Sequence, residues 1–213
     1  MTPLAIAFAA IGLVLGIAAD RLASRWPEHD EEFPPGRPIG WRTAVCGAFG
    51  AFAFAVAANR FDGDTLALVL FTAWFATLVV GLATDLDQRL LPNIVTLPVI
   101  PVALLYAISG SNPLIGSELL TALAVAIAVP AVLFVASIPF GAGAFGVGDV
   151  KLLVGIGLMS GGIRAFTGLV SGLFAAGIVL AVLLVTRRVT LKTYVPYGPF
   201  LILGAVWGIF VRP

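Results

Sequence analysis

The sequence predicts an all-α fold, a polytopic bundle of transmembrane helices, from its composition and from the length of its apolar runs. Of the 213 residues, 60% are hydrophobic and only 11% are charged, whereas charged residues make up about 25% of a typical soluble domain. The mean hydropathy is +1.09. Apolar runs close to the length of a membrane crossing, about 20 residues, recur along the chain. We therefore expect residues 1–213 to form a single membrane-embedded domain.

Eight apolar runs predict about eight membrane segments, near residues 4–19, 42–58, 65–84, 94–110, 117–139, 150–161, 163–186 and 195–211. No basic residue precedes the first run, which favours a transmembrane helix over a signal peptide. The sixth run is too short for a full crossing, and Pro98 and Pro101 interrupt the fourth. Short or broken helices are tolerated where protein buries them or where they line water. We expect a water-filled cavity beside these two segments.

Basic residues are distributed unevenly between the two predicted sides of the bundle. With eight crossings, Arg60, Arg164 and Arg212 lie on one side. The other side carries Arg21, Arg25, Arg37, Arg42, Arg89, Lys151, Arg187, Arg188 and Lys192. Short loops rich in lysine and arginine remain in the cytoplasm, so the second side is predicted to be cytoplasmic. The acidic motifs are therefore expected at the cytoplasmic face.

Residues 20–41 are predicted to form a short irregular cytoplasmic loop, because the stretch combines prolines with mixed charges. It contains His29, the sole histidine of the chain, which we expect to be solvated. Cys46 is the sole cysteine, and with no CxxC pair or Cys/His cluster neither a disulfide nor a metal site is predicted. The net charge of +1 gives no reason to expect a nucleic-acid partner.

Two acidic stretches precede the two short segments. Asp85 and Asp87 come before Pro92, and Asp149 follows Gly146 and Gly148. The two glycines let the backbone turn sharply and approach a neighbour closely. A charged side chain at membrane depth is costly unless it meets a partner or water, which makes these acids candidates for function.

Two carboxylates held close together tend to share a proton. One can then take a proton from water while the other protonates the carbonyl oxygen of a peptide bond, as in aspartic proteases. Other interpretations remain open. Asp85 or Asp87 could pair with Arg89, and Asp149 with Lys151, as ordinary helix-end charges. The acids could also relay protons in a proton-coupled transporter.

A further alternative is a non-catalytic scaffold protein that binds partners through its glycine-rich helix faces. Glycines recur at the GxxxG spacing that lets helices pack closely in lipid. The pairs are Gly12/Gly16, Gly168/Gly172 and Gly204/Gly208.

The motifs resemble those of a known family, the prepilin peptidases. Asp85, followed by LPN at 91–93 and TLP at 96–98, is similar to the family's first aspartate motif. The sequence GVGDVKL at 146–152 is similar to its second motif, the GxGD signature. Residues 196–200, which include Pro196, Gly198 and Pro199, resemble its C-terminal proline–glycine–proline segment. The resemblance extends from about Phe71 to Gly208.

This resemblance implies an aspartic endopeptidase of the bacterial inner membrane, with Asp85 and Asp149 as its catalytic pair. The expected partners are the lipid bilayer and a prepilin or pseudopilin, whose basic leader would be removed after a glycine. The resemblance implies that Gly146 and Gly148 shape a turn, that Lys151 tunes Asp149 or contacts substrate, and that Asp87 is a structural acid. The oligomeric state is left open.

The chain departs from the family at its N-terminal end. Bifunctional members carry two CxxC pairs in a cytoplasmic module and also methylate the new N-terminus from S-adenosylmethionine. The corresponding loop here has no cysteine, so no zinc site is expected. No cofactor is expected either, except S-adenosylmethionine if the methyltransferase activity is retained.

Overall fold

The described part of the chain, residues 2–140, 146–188 and 197–211 of a computed structural model, contains α-helices and no strand. This confirms the predicted all-α fold. The helices are α1 (Pro3–Ala23), α2 (Trp41–Arg60), α3 (Thr65–Gln88), α4 (Asn93–Thr96), α5 (Val99–Ile108), α6 (Leu119–Ser137), α7 (Val147–Ser160), α8 (Gly162–Val185) and α9 (Gly198–Val211), with a 3-10 turn at Ile138–Phe140. By length and composition, α1, α2, α3, α6 and α8 can cross a membrane.

The helices α1 and α3 each extend about one turn past the C-terminal end of the apolar run that predicted them. The helix α1 continues through Asp20 to Ala23, so the loop between α1 and α2 is shorter than predicted. The helix α3 continues four residues past the predicted end and contains both Asp85 and Asp87. Buried polar partners, described below, stabilise these charged final turns.

The predicted fourth segment is divided into α4 and α5 at Leu97 and Pro98. Proline has no backbone N–H and clashes with the preceding turn, so a break at this position agrees with the sequence. The sixth segment is the 14-residue helix α7, which is short as predicted.

Glycine faces hold neighbouring helices together, as the GxxxG spacing predicts. A Cβ atom added to Gly12 of α1 would collide with the Gly50 backbone of α2, and one added to Gly204 of α9 would collide with the Gly168 backbone of α8. Such close backbone approach supplies the van der Waals contact that associates helices in lipid.

The helix α3 runs through the core of the bundle. Its Phe71 and Phe75 are fully buried, and the Phe71 ring stacks on Phe61 with 4.1 Å between ring centroids. Near its C-terminal end, Leu82 and Ala83 are also 0% exposed. Buried residues therefore continue along α3 as far as its last turn, which lies at one end of the bundle.

Several helix ends meet at this end of the bundle, which we call the Asp85 end. The loop residue Arg37 contacts Asp20 near the end of α1 and Asp87 near the end of α3. The start of α9 contacts Asp85 through Gly198. The start of α7 packs on the segment after α3, because Gly148 lies against Leu91. The predicted grouping of the acidic motifs at one rim therefore agrees with the fold.

Candidate active site

Asp85 lies in the last turn of α3 and is only 5% exposed. Its Oδ2 atom is buried and has no hydrogen-bond partner among the residues that the structure describes. A buried polar atom without a partner is uncommon in proteins and calls for an explanation such as a catalytic role or an ordered water.

Gly198, the first residue of α9, forms one wall beside the Asp85 carboxylate. A Cβ atom at this position would lie 2.5 Å from Asp85 Oδ2 and 2.8 Å from Cγ, which is closer than real Cβ contacts. The next residue, Pro199, is buried in the first turn of α9. Pro196, the first proline of the predicted motif, lies outside the described residues. Glycine is therefore required at position 198 because a side chain there would collide with the Asp85 carboxylate.

Asp149 is the third residue of α7 and is partly buried. Its Oδ2 accepts a hydrogen bond from the Gly146 N–H, with 3.1 Å between the two atoms. A carboxylate at this position satisfies a backbone donor that the helix leaves unpaired, and it interacts favourably with the helix dipole.

The two predicted catalytic acids lie near each other. Asp85 and Asp149 are close enough for a Coulombic interaction between their carboxylates. Leu91 packs between the two helices that carry these acids, since its side chain contacts both Gly148 of α7 and Gly81 of α3. The structure thus brings together two carboxylates that are far apart in the sequence.

The two glycines of the GxGD motif do not form the predicted turn. Gly146 caps α7 in an extended conformation that any residue can adopt, with φ of −77°, and Gly148 lies inside the helix. A Cβ at Gly148 would lie 3.0 Å from Leu91 Cβ. Gly148 is small because α7 packs closely on the segment after α3, so the expected turn is wrong and close approach is the reason for this glycine.

Lys151 and Pro92 also lie at this junction. Pro92 precedes α4 as its N-cap residue. Lys151 Nζ donates to Asn93 Oδ1 at 2.6 Å and does not form the ion pair with Asp149 that was considered as an alternative. Lys151 therefore links the start of α7 to the LPN segment that follows α3.

A small cavity lies between α3, α4, α5 and α7, beside this junction. Its volume is about 20 Å³, which is room for roughly one water molecule. Lys151 is the sole charged residue among its lining residues, most of which are apolar. This cavity lies next to the two short segments, but its mostly apolar lining does not match the water-filled cavity that was predicted.

Asp87 differs from Asp85 in having a complete set of partners. Its carboxylate accepts hydrogen bonds from Arg37 and from Arg42 Nη1, the latter at 3.2 Å, and lies 3.2 Å from His29 Nε2. The side chain of His29 is 3% exposed, so the expectation of a solvated histidine is wrong. The loop folds back over the end of α3 and buries the ring against Asp87.

Arg37 connects Asp87 to a second buried acid, Asp20 of α1. Arg37 Nη2 donates to Asp20 Oδ1 at 2.6 Å, and Thr43 Oγ1 of α2 donates to Asp20 Oδ2 at 2.6 Å. Burial lowers the pKa of Arg37, but its bonds to Asp87 and Asp20 outweigh this and leave the pKa above its ordinary value. The guanidinium is therefore a permanent cation that joins the ends of α1 and α3.

This network was not predicted from the sequence, although one signal for it was present. Asp20 lies at the end of a long apolar run in which a charge without a partner would be costly. Four arginines, Arg21, Arg25, Arg37 and Arg42, occur within the following 22 residues. An acid at a helix end followed by several arginines is compatible with a buried network, although the sequence does not indicate which arginine binds it.

Comparison with known proteins supports the resemblance that the sequence motifs indicate. The model of the type IV leader peptidase family matches residues 69–186, which include Asp85 and Asp149. The chain is also similar to a type 4 prepilin-like proteins leader peptide-processing enzyme of Escherichia coli O78:H11 (strain H10407 / ETEC), with 30% identity over 153 residues. This match covers 71% of the chain and 54% of the relative, so the chain spans about half the length of that curated relative. No solved structure is significantly similar to the chain.

Proposed function

Since the chain belongs to the type IV leader peptidase family, we propose that it is a membrane-bound aspartic endopeptidase that removes the leader of type IV prepilins or pseudopilins. The observation that carries this proposal is the pair of neighbouring carboxylates. Asp85 is buried with an unpartnered oxygen, and Asp149 approaches it from the start of α7.

In the proposed reaction, Asp85 and Asp149 share one proton and act on a water molecule. The ionised carboxylate takes a proton from the water, whose oxygen attacks the carbonyl carbon of the scissile peptide bond. The protonated carboxyl donates its proton to the carbonyl oxygen. Collapse of the tetrahedral intermediate breaks the C–N bond, and the amine leaves with a proton returned by the pair. Two carboxylates suffice for these steps, so the proposal includes no metal or organic cofactor.

Cleavage is proposed to occur at the cytoplasmic face of the bacterial inner membrane. The excess of arginine and lysine at the Asp85 end supports this orientation, because basic loops remain in the cytoplasm. Arg21, Arg37, Arg42 and Arg89 all lie at this end of the bundle. A transporter would instead need acids along a path through the membrane, whereas these acids are gathered at one rim.

The basic leader of the substrate is proposed to meet the acidic part of the loop. Glu28, Asp30, Glu31 and Glu32 are exposed, while the neighbouring His29 is anchored on Asp87. These acids therefore lie near the end of α3, where opposite charge would attract a basic segment. Replacing all four by glutamine or asparagine is expected to raise KM more than it lowers kcat. Unchanged kinetics in that variant would contradict this part of the proposal.

The direct experiment incubates the purified full chain with a prepilin in detergent and follows the substrate by mass spectrometry. Loss of the leader, with a new N-terminus after the glycine, supports the proposal. An intact prepilin after prolonged incubation with the folded protein would overturn it. Methylation of the new N-terminus is not part of the proposal and would appear as a separate mass increase when S-adenosylmethionine is added.

A further inference from the structure

The loop between α1 and α2 contacts residues 87–89, which lie at the end of α3 just after Asp85. The carboxylate of Asp87 contacts His29 and Arg37 of the loop. Gln88 Nε2 lies 3.4 Å from the backbone oxygen of Pro27 and 3.2 Å from His29 Nε2. These contacts hold two consecutive residues of the final turn from the loop side.

The next residue, Arg89, makes a third contact with the loop. The guanidinium of Arg89 stacks over the Phe33 ring of the same loop, with its Cζ 5.7 Å from the ring centroid. Arg89 adopts the left-handed conformation, with φ of 56°, and ends the helix there. Residues 87–89 are thus each held by the loop.

On α3, the side that contacts the loop lies nearly opposite the side that carries Asp85. Residues two positions apart on an α-helix point about 200° away from each other, which is close to opposite faces. Asp87 faces the loop and the ends of α1 and α2, whereas Asp85 faces Gly198 and Asp149. Any rotation of the last turn that moves Asp87 must therefore also change the direction of the Asp85 carboxylate.

Arg37 is the side chain that most directly restrains rotation of the last turn of α3. Its guanidinium binds Asp87 through Nε and Asp20 through Nη2, so it ties the end of α3 to the end of α1. The side chain is 19% exposed, and Asp20 and Asp87 are 0% and 6% exposed. A planar guanidinium can satisfy two carboxylates at fixed angles, which a lysine ammonium does not reproduce.

We propose that Arg37 is a positioning residue, which holds the last turn of α3 against α1 and so aims the Asp85 carboxylate at Asp149. This inference rests on the proposed peptidase function. It assigns to the loop a role in turnover, separate from the attraction of a basic leader by its exposed acids.

The test compares Arg37→Gln with Arg25→Gln in the full chain. Arg25 is in the same loop, is exposed and has no side-chain partner among the residues that the structure describes. Small misplacement of a catalytic group lowers turnover by up to about a hundredfold. We expect R37Q to lower kcat by roughly ten- to a hundredfold with KM changed less than about twofold, and R25Q to match the wild type.

A second measurement reports on the position of α3 without any substrate. The Arg89 N–H donates to the Asp85 backbone oxygen at 2.9 Å and closes the last turn. Hydrogen exchange in peptides covering residues 85–89 should be faster in R37Q than in R25Q or the wild type, with peptides from α5 unchanged. If R37Q does not fold, Arg37→Lys is measured in its place and is expected to show the same changes to a smaller extent.

Three results would overturn the inference. Wild-type kcat in R37Q would do so, as would a loss confined to KM, which would mean that Arg37 binds substrate. Unchanged exchange at residues 85–89 despite a lower kcat would also contradict it. Failure of the wild type to cleave a prepilin would overturn the proposed function, and the inference with it, whatever the exchange data show.

Discussion

Asp85 and Asp87 are two residues apart on one helix, yet their surroundings are opposite. Both are nearly buried, at 5% and 6% exposure. Asp87 contacts Arg37, Arg42 and His29, whereas Asp85 has a buried oxygen without a partner among the described residues. Buried charges in proteins are normally paired. The unpaired oxygen of Asp85 is therefore an exception, which makes this residue a candidate for a catalytic role.

This difference separates two uses of an aspartate at a membrane boundary. The contacts of Asp87 are those of a structural anchor, which joins three helix ends through cationic partners. Asp85 lies beside a glycine and a second carboxylate, and its buried Oδ2 has no hydrogen-bond partner among the described residues. The comparison predicts that changes at Asp85 remove turnover without lowering stability, while changes at Asp87 lower stability and reduce turnover only through the loss of its contact with Arg37.

The largest effect is expected from removing either catalytic charge. Asp85→Asn and Asp149→Asn should each lower kcat by roughly a thousandfold or more, because one carboxyl cannot serve as both base and acid. The thermal midpoint in detergent should stay near that of the wild type, since neither residue has an ion pair among the described residues. Cleavage by either variant at a rate within tenfold of wild type would contradict the pairing.

A smaller loss of activity is expected when the wall beside Asp85 is filled. Gly198→Ala places a methyl group 2.5 Å from Asp85 Oδ2 and must displace the carboxylate. We expect kcat to fall by about ten- to a hundredfold. Gly177→Ala in α8 is the matched control, because a Cβ there meets nothing within 4 Å. Equal activity of the two variants would show that the site tolerates this displacement.

Asp87→Asn is expected to lower stability, unlike Asp85→Asn, and to lower kcat no further than R37Q does, since it breaks the same contact with Arg37. It leaves Arg37 and Arg42 without their shared anion and should lower the free energy of unfolding by about 2 kcal/mol. Titration with a denaturing detergent measures this loss. If Asp87→Asn is as stable as the wild type but as inactive as Asp85→Asn, the division between the two acids is wrong.

The smallest effect is expected at the contact between Lys151 and Asn93. This hydrogen bond is exposed, so Lys151→Gln should lower kcat/KM by only about two- to fivefold. Asn93→Ala should have a similar effect, and the double variant should be no worse than either single one. Additive losses would mean that Lys151 acts elsewhere, for example on substrate.

The sequence predicted the helices well because long apolar runs are a strong signal in a membrane protein. It ended α3 too early, since Asp85 and Asp87 interrupt the apolar run. The buried partners of Asp87 that allow the helix to continue come from a distant loop. The catalytic pair was predicted from motifs, and its closeness depends on how Leu91 and Gly148 pack, which no local pattern specifies.

The loop was the least predictable region. A polar sequence such as residues 20–41 is typical of a solvated connection, and nothing local distinguishes Arg37, which is held by two acids, from Arg25, which is exposed. Gly198 was identified from a motif. The reason for a glycine there is the Asp85 carboxylate on another helix, and this requires the tertiary structure.

The proposed mechanism requires that Asp85 and Asp149 together activate a water molecule, which attacks the leader peptide bond directly. A single-turnover cleavage in ¹⁸O-labelled water, with the released leader analysed by mass spectrometry, tests it most directly. We expect one ¹⁸O atom in the new carboxyl group of the leader, and no released leader from Asp85→Asn or Asp149→Asn. An unlabelled leader, whose oxygen came from an enzyme carboxylate through a covalent intermediate, would contradict it.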